Sequence, residues 1–112
     1  MLDSGFETVI QSCNTCAVAC TKCAIECLNE DRIIELKRCI QLDLACAAIC
    51  RACVEQMSMG SEFSASVCNI CVDLCNACAE ECEKFLEMDH CRECANECRN
   101  CAVQCKQVVT TT

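Results

Sequence analysis

Proline is absent from this chain of 112 residues, glycine occurs twice, and neither tryptophan nor tyrosine is present; the aromatic residues are Phe6, Phe63 and Phe85. So few helix breakers and so few aromatic or β-favouring signals exclude an ordinary sheet protein and suit long helices joined by short turns. Positive charge is also scarce: 9 Lys plus Arg stand against 17 Asp plus Glu, a formal net charge of −8. A phosphate backbone would be repelled, so nucleic acid is excluded as a partner. No apolar run approaches the ~20 residues that cross a bilayer. The opening MLDSGFETVIQSC lacks the basic and apolar blocks of a secretory leader. The expectation is a soluble, cytoplasmic chain with no membrane partner, forming one domain over residues 1–112.

What the chain has is cysteine, 19 residues of it, and the hydrophobic fraction of 54% counts these. The conventional core is therefore thin. Cysteine recurs in CNTCAVACTKCAIEC at Cys13, Cys16, Cys20, Cys23 and Cys27, in CNICVDLCNACAEEC at Cys68, Cys71, Cys75, Cys78 and Cys82, and in CRECANECRNCAVQC at Cys91, Cys94, Cys98, Cys101 and Cys105. Steps alternating between three and four are the seam of a helix that faces a partner. A less regular stretch carries Cys39, Cys46, Cys50 and Cys53; Met57 continues its register, and Leu42 or Asp43 falls where another cysteine is expected.

A secreted disulfide scaffold would also be rich in cysteine. The odd count, the missing leader and the helical spacing oppose it, because side chains leaving one regular helix in parallel do not reach the disulfide torsion without distorting the backbone.

The pattern predicts four helices. The first spans Ser4 to Leu28, with Ser4 and Glu7 spaced as a capping box. The second follows NEDR and spans about Asp31 to Met57; the break at Gly60 and a cap at Ser61 lead into the third, to about Phe85; Asp89 caps the fourth, which ends near Val108. Connections this short force neighbouring helices to run antiparallel. The predicted fold class is all-α: an antiparallel up-down-up-down four-helix bundle with a cysteine-lined core. A second apolar stripe, Ile33, Leu36, Ile40, Leu44 and Ala47, lies about 100° from the thiol face of the second helix, and leaves open packing against an adjacent helix or a subunit interface.

Side chains as small as cysteine at every inward position are expected to underfill a bundle, and voids are costly. Something else should occupy the middle. Soft thiolates select Cu(I), Zn(II) or iron in clusters. Structural zinc favours closed sets of four ligands on turns, and the iron–sulfur run ending in Cys-Pro is impossible without proline. Cu(I) is satisfied by two or three sulfurs, and a thiolate can bridge two ions. If each thiol exchanged its proton for one Cu(I), the chain would keep its formal −8, so the buried core would never carry net charge.

The three CxxCxxxCxxCxxxC helices, the segment CIQLDLACAAIC and the MDHC lead into the last helix resemble the bacterial cytosolic copper storage proteins over nearly the whole chain. The resemblance implies a bundle holding many Cu(I) ions, assembly into a homotetramer, and a mouth at one end with His or Met ligands; bridging thiolates set the expected load at roughly one Cu(I) per cysteine, and no catalytic arrangement is visible in the sequence. His90 and Met88 are the candidates for that mouth, beside the 19 cysteines as metal ligands. The bland reading of His90 is a solvent-exposed residue at a helix N-terminus.

Met57 and Met59 lie at the other end, Met57 read as core filler. Asp43 is read as solvated or hydrogen-bonded on the bundle flank, and Glu80, Glu81, Arg92 and Arg99 as solvated exterior. The alternative functions are a zinc- or cadmium-sequestering, metallothionein-like protein and a thiol-disulfide redox protein. The last needs one distinctive low-pKa thiol, usually in a βαβ setting, and neither is visible here.

Overall fold

A computed structural model describes residues 4–111 of the chain. Its elements are α1 (Ser4–Leu28), α2 (Lys37–Ser58), α3 (Ser64–Cys82), a short 3₁₀ turn (Glu83–Phe85) and α4 (Asp89–Thr111), with no strand among the described residues. Each helix packs against two others, α1 against α2 and α4, and α3 against α2 and α4. This closes the predicted four-helix bundle into a rod with Cα extents of 47 × 18 × 18 Å.

The predicted boundaries of α1 coincide with those observed; the Ser4 side chain of the expected capping box lies outside the described residues. The second helix starts six residues later than expected. Residues 31–36 fold as successive turns, with Leu36 N–H donating to the carbonyls of Arg32 and Ile33 at 3.2 and 3.1 Å. Two contacts pin this segment. Leu36 is fully buried, and the Arg32 guanidinium lies 5.5 Å over the Phe85 ring while pairing with Glu35 and Glu87.

The break at Gly60 is a Schellman turn: Gly60 N–H donates to Met57 O at 3.1 Å and Ser61 N–H to Gln56 O at 2.9 Å. Its left-handed φ of 68° is the conformation that favours glycine. Ser61 accepts from Phe63 N–H and so caps the turn before α3, which begins at Ser64, later than predicted. At the start of α4 the first helical bonds go to the carbonyl of Met88, so Met88, not Asp89, holds the cap position; the Asp89 carboxylate is taken by Arg92.

Candidate metal-binding core

All 19 cysteines are free and have no solvent exposure. A three-four spacing keeps every thiol within a narrow stripe, and the four stripes face one axis. The sulfurs meet there. Cys13 and Cys105 are 3.5 Å apart, Cys50 and Cys71 3.8 Å, Cys46 and Cys75 3.5 Å, Cys20 and Cys98 3.6 Å, and Cys39 and Cys82 3.5 Å. Contacts within one helix, such as Cys71 to Cys75 at 3.7 Å, link these levels. The expected underfilled centre is not observed along these contacts. The helices come close enough for sulfur to touch sulfur, because a one-atom side-chain head lets backbones approach.

Among the groups of sulfur atoms that lie close enough for one ion are Cys13, Cys71, Cys101 and Cys105; Cys16, Cys46, Cys50 and Cys75; Cys16, Cys20, Cys46 and Cys98; and Cys20, Cys78, Cys94 and Cys98. Cys16, Cys46, Cys20 and Cys98 each belong to two of these groups. The sites overlap, as ligand sharing between bridged ions requires and closed separate sites do not allow.

The sequence reading misplaced Asp43. It is fully buried among the thiols. Cys78 and Cys94 donate S–H to its Oδ1 at 3.1 and 3.3 Å, and longer contacts come from Cys82 to Oδ1 at 3.8 Å and Cys39 to Oδ2 at 3.9 Å. The signal was present in the spacing. Asp43 follows Cys39 by four and precedes Cys46 by three, so it fills the inward slot itself while Leu42 turns to a half-buried flank.

Desolvation pushes the Asp43 carboxyl up from 3.8 to about 8. Across that window the folded state keeps a proton that the unfolded chain has lost, so stability falls as pH rises from about 4 to about 8. Metal-free Asp43→Asn is therefore expected to be more stable than the parent at pH 7 by on the order of 1–3 kcal/mol, the gap closing toward pH 4. Equal denaturant midpoints for the two chains at both pH values would contradict a buried carboxyl.

Glu81 is a second correction: its side chain is 7% exposed, held between Arg38 at 3.5 Å and Lys84 at 2.9 Å. Glu80, Arg92 and Arg99 are exposed, as expected. The apolar stripe of α2 divides: Leu36 and Ala47 are buried and Ile40 is partly so, whereas Leu44 is 53% exposed.

At the end of the bundle where α1 stops and α4 starts, His90 is placed inward, with 11% of its side chain exposed. Nδ1 lies 3.6 Å from Cys23 Sγ, 3.8 Å from Cys27 Sγ and 3.6 Å from Cys91 Sγ. Nε2 is 3.0 Å from Glu30 Oε2. A carboxylate only accepts, so Nε2 donates to Glu30, and Nδ1 faces the three sulfurs. Burial pushes the Cys27 thiol up. The reading of His90 as a solvated surface residue is thus not observed. Met88 is partly buried against the core. Sequence reasoning missed Glu30, which sits in the turn after α1 with no periodicity to mark it.

The opposite end is apolar. Val9, Met57 and Val108 are buried to within 2% of full burial, with Phe6 and Val109 packed on the same core. Met57 is core filler there, as its register implied.

The profile of the copper storage protein family matches residues 3–110. No curated protein matches the chain. Among solved structures, the Cu(I)-bound copper storage protein BsCsp3 is 40% identical with a TM-score of 0.88, covering 93% of this chain and 97% of its own. The metal-free Csp3 of Bacillus subtilis is 41% identical with a TM-score of 0.87, covering 92% and 97%. A cytosolic copper storage protein from Streptomyces lividans carrying five coppers is 34% identical with a TM-score of 0.91, covering 95% and 92%. With its bundle fold, its buried thiol ladder and a profile match over almost its full length, the chain belongs to the copper storage protein family.

Proposed function

We propose that this protein stores or buffers Cu(I) in the cytosol, binding many ions on the thiolates that line its bundle and catalysing no reaction. The observation that carries this reading is the overlap of the sulfur groups: neighbouring candidate sites share Cys16, Cys46, Cys20 and Cys98. Two- and three-coordinate Cu(I) fits such sharing, with each thiol proton leaving as a monovalent ion arrives. Related structures point the same way: BsCsp3 is Cu(I)-bound, and the Streptomyces lividans protein has been loaded with 10 copper equivalents. All 19 cysteines are proposed as ligands, with His90 and Met88 at the mouth.

Anaerobic titration of the reduced chain, with metal and thiol counted on one sample, is expected to saturate at about one Cu(I) per cysteine. Saturation at four or five metals, with bound zinc resisting copper, would favour the zinc-sequestering alternative instead.

The tetramer implied by the family resemblance has support on the α1–α2 face. A groove of about 670 Å³ runs beside Ala17, Val18 and Thr21 of α1 and Arg51 of α2. Two helical turns along the same antiparallel pair come Ile25 and Leu44, and Val18, Ile25 and Leu44 are 69%, 54% and 53% exposed. An apolar band of this kind suits a partner subunit. Val18→Glu with Leu44→Glu is expected to shift the assembly to a smaller species in light scattering, with the copper count per chain unchanged; an unaltered mass would place the interface elsewhere.

A further inference from the structure

We infer that the mouth formed by Cys23, Cys27, His90 and Cys91 is a Zn(II) site, distinct in metal and geometry from the copper ladder behind it. The four ligand atoms already stand at the corners of a tetrahedron. Its sulfur–sulfur edges are 3.9 Å for Cys23 and Cys27, 4.0 Å for Cys23 and Cys91, and 4.0 Å for Cys27 and Cys91. Its nitrogen–sulfur edges are 3.6, 3.8 and 3.6 Å. Zinc bonded to sulfur at ~2.3 Å and to nitrogen at ~2.0–2.1 Å requires edges of about 3.8 and 3.6 Å. Contraction by a few tenths of an ångström or less seats the ion with no change of backbone.

The outer shell fits as well. Glu30 accepts from Nε2–H at 3.0 Å, which orients the ring with Nδ1 toward the sulfurs, the carboxylate–histidine–zinc arrangement. The ligands come in pairs from rigid elements, Cys23 and Cys27 one helical turn apart on α1, and His90 and Cys91 on the first turn of α4.

Charge separates this site from the thiol-only groups. Zn(II) displaces three thiol protons here, and three thiolates with a neutral imidazole leave one negative charge on the complex. In a four-thiolate group two negative charges would remain, buried away from water, and the group of Cys20, Cys78, Cys94 and Cys98 faces Asp43 through Cys78 and Cys94. Burying unpaired charge is costly, so a dication prefers the partly exposed mouth and monovalent Cu(I) prefers the interior. Zinc at the mouth closes the ladder of the copper-free protein, and Cu(I) releases one zinc per chain as it takes these thiolates.

The test uses the full, reduced, copper-free chain under anaerobic conditions, with Co(II) as a spectroscopic probe and Zn(II) in competition with a chromogenic chelator. The first equivalent of Co(II) is expected to give intense tetrahedral d–d bands with thiolate charge transfer, and one equivalent of Zn(II) to bleach them. Glu30→Gln is expected to weaken that first zinc by 10–100-fold, and His90→Ala by at least as much, with the saturating Cu(I) count of Glu30→Gln close to the parent's.

A first equivalent of six-coordinate Co(II), or zinc affinity unchanged in both variants, overturns the inference. Should His90→Ala lose helicity, Glu30→Gln alone decides. The parallel Cu(I) titration keeps this result separate from the storage function, since copper capacity does not depend on whether zinc binds.

Discussion

Copper loading is expected to carry the unfolding transition of this chain from an ordinary range to beyond about 95 °C. A ligand that binds only the folded state stabilises it by about 4 kcal/mol per site when free metal exceeds the dissociation constant a thousandfold. Several such sites sum to well above the 5–15 kcal/mol total stability typical of a domain. The sites exist only in the fold, because each sulfur group draws on more than one helix: Cys16, Cys46, Cys50 and Cys75 come from α1, α2 and α3. A single thiolate bridge therefore staples elements that are far apart in sequence.

Two features of the copper-free chain set its starting point. Its helices are capped and closed by the turns at Gly60 and Leu36, so it should be largely helical without metal. Its core is made of small side chains with a buried carboxyl, so it should be only moderately resistant to heat and protease. Circular dichroism melts at stepwise copper loads, under argon with reductant, would show the transition climbing with each addition. A chain that is random coil before copper arrives would overturn the preformed bundle, and a transition that stays put on loading would overturn stabilisation by the thiol ladder.

The second large effect concerns rate. His90→Ala, alone or with Met88→Ala, is expected to slow copper uptake and chelator-driven removal by on the order of tenfold, leaving the final copper count almost unchanged. His90 carries the single imidazole of the chain, and it stands between Glu30, which is partly exposed, and the first three sulfurs. An ion arriving from a chelator can bind there before it exchanges onto thiolates.

Deep groups such as Cys13, Cys71, Cys101 and Cys105 keep all their sulfurs in this variant, so capacity survives. The other end offers no such step. Val9, Met57 and Val108 seal it with apolar side chains, and Met57→Leu should change neither rate. Stopped-flow transfer from a chromophoric Cu(I) chelator distinguishes the ends: slowing by Met57→Leu with His90→Ala unaffected would reverse the assignment, and no effect from either would remove the mouth altogether.

The one-dimensional pattern determined a good deal by itself. Cysteine every three or four residues commits each thiol to one stripe of a helix, whatever the helix packs against, because the period is a property of the backbone. With almost no glycine or proline, and connections of a few residues, antiparallel neighbours follow. The identity of the core as sulfur, the number of helices and the preference for soft metal were thus legible before any coordinate.

What the pattern of a single helix cannot contain is how helices rotate and approach one another, and the rest depended on that. The rotation of α2 put Asp43 rather than Leu42 on the axis, a choice that two adjacent residues near the edge of a stripe leave open. It also left Leu44 exposed while burying Leu36 and Ala47. The closeness of the backbones brought sulfurs to 3.5 Å where small side chains suggested a void. Glu81 was buried by the basic residues on either side of it, Arg38 and Lys84. The tetrahedron at the mouth joins residues 63 to 68 positions apart through Cys23, Cys27, His90 and Cys91, with Glu30 reaching back from a turn. Its geometry is a relation between two helix ends, and only the tertiary structure sets the distance between them.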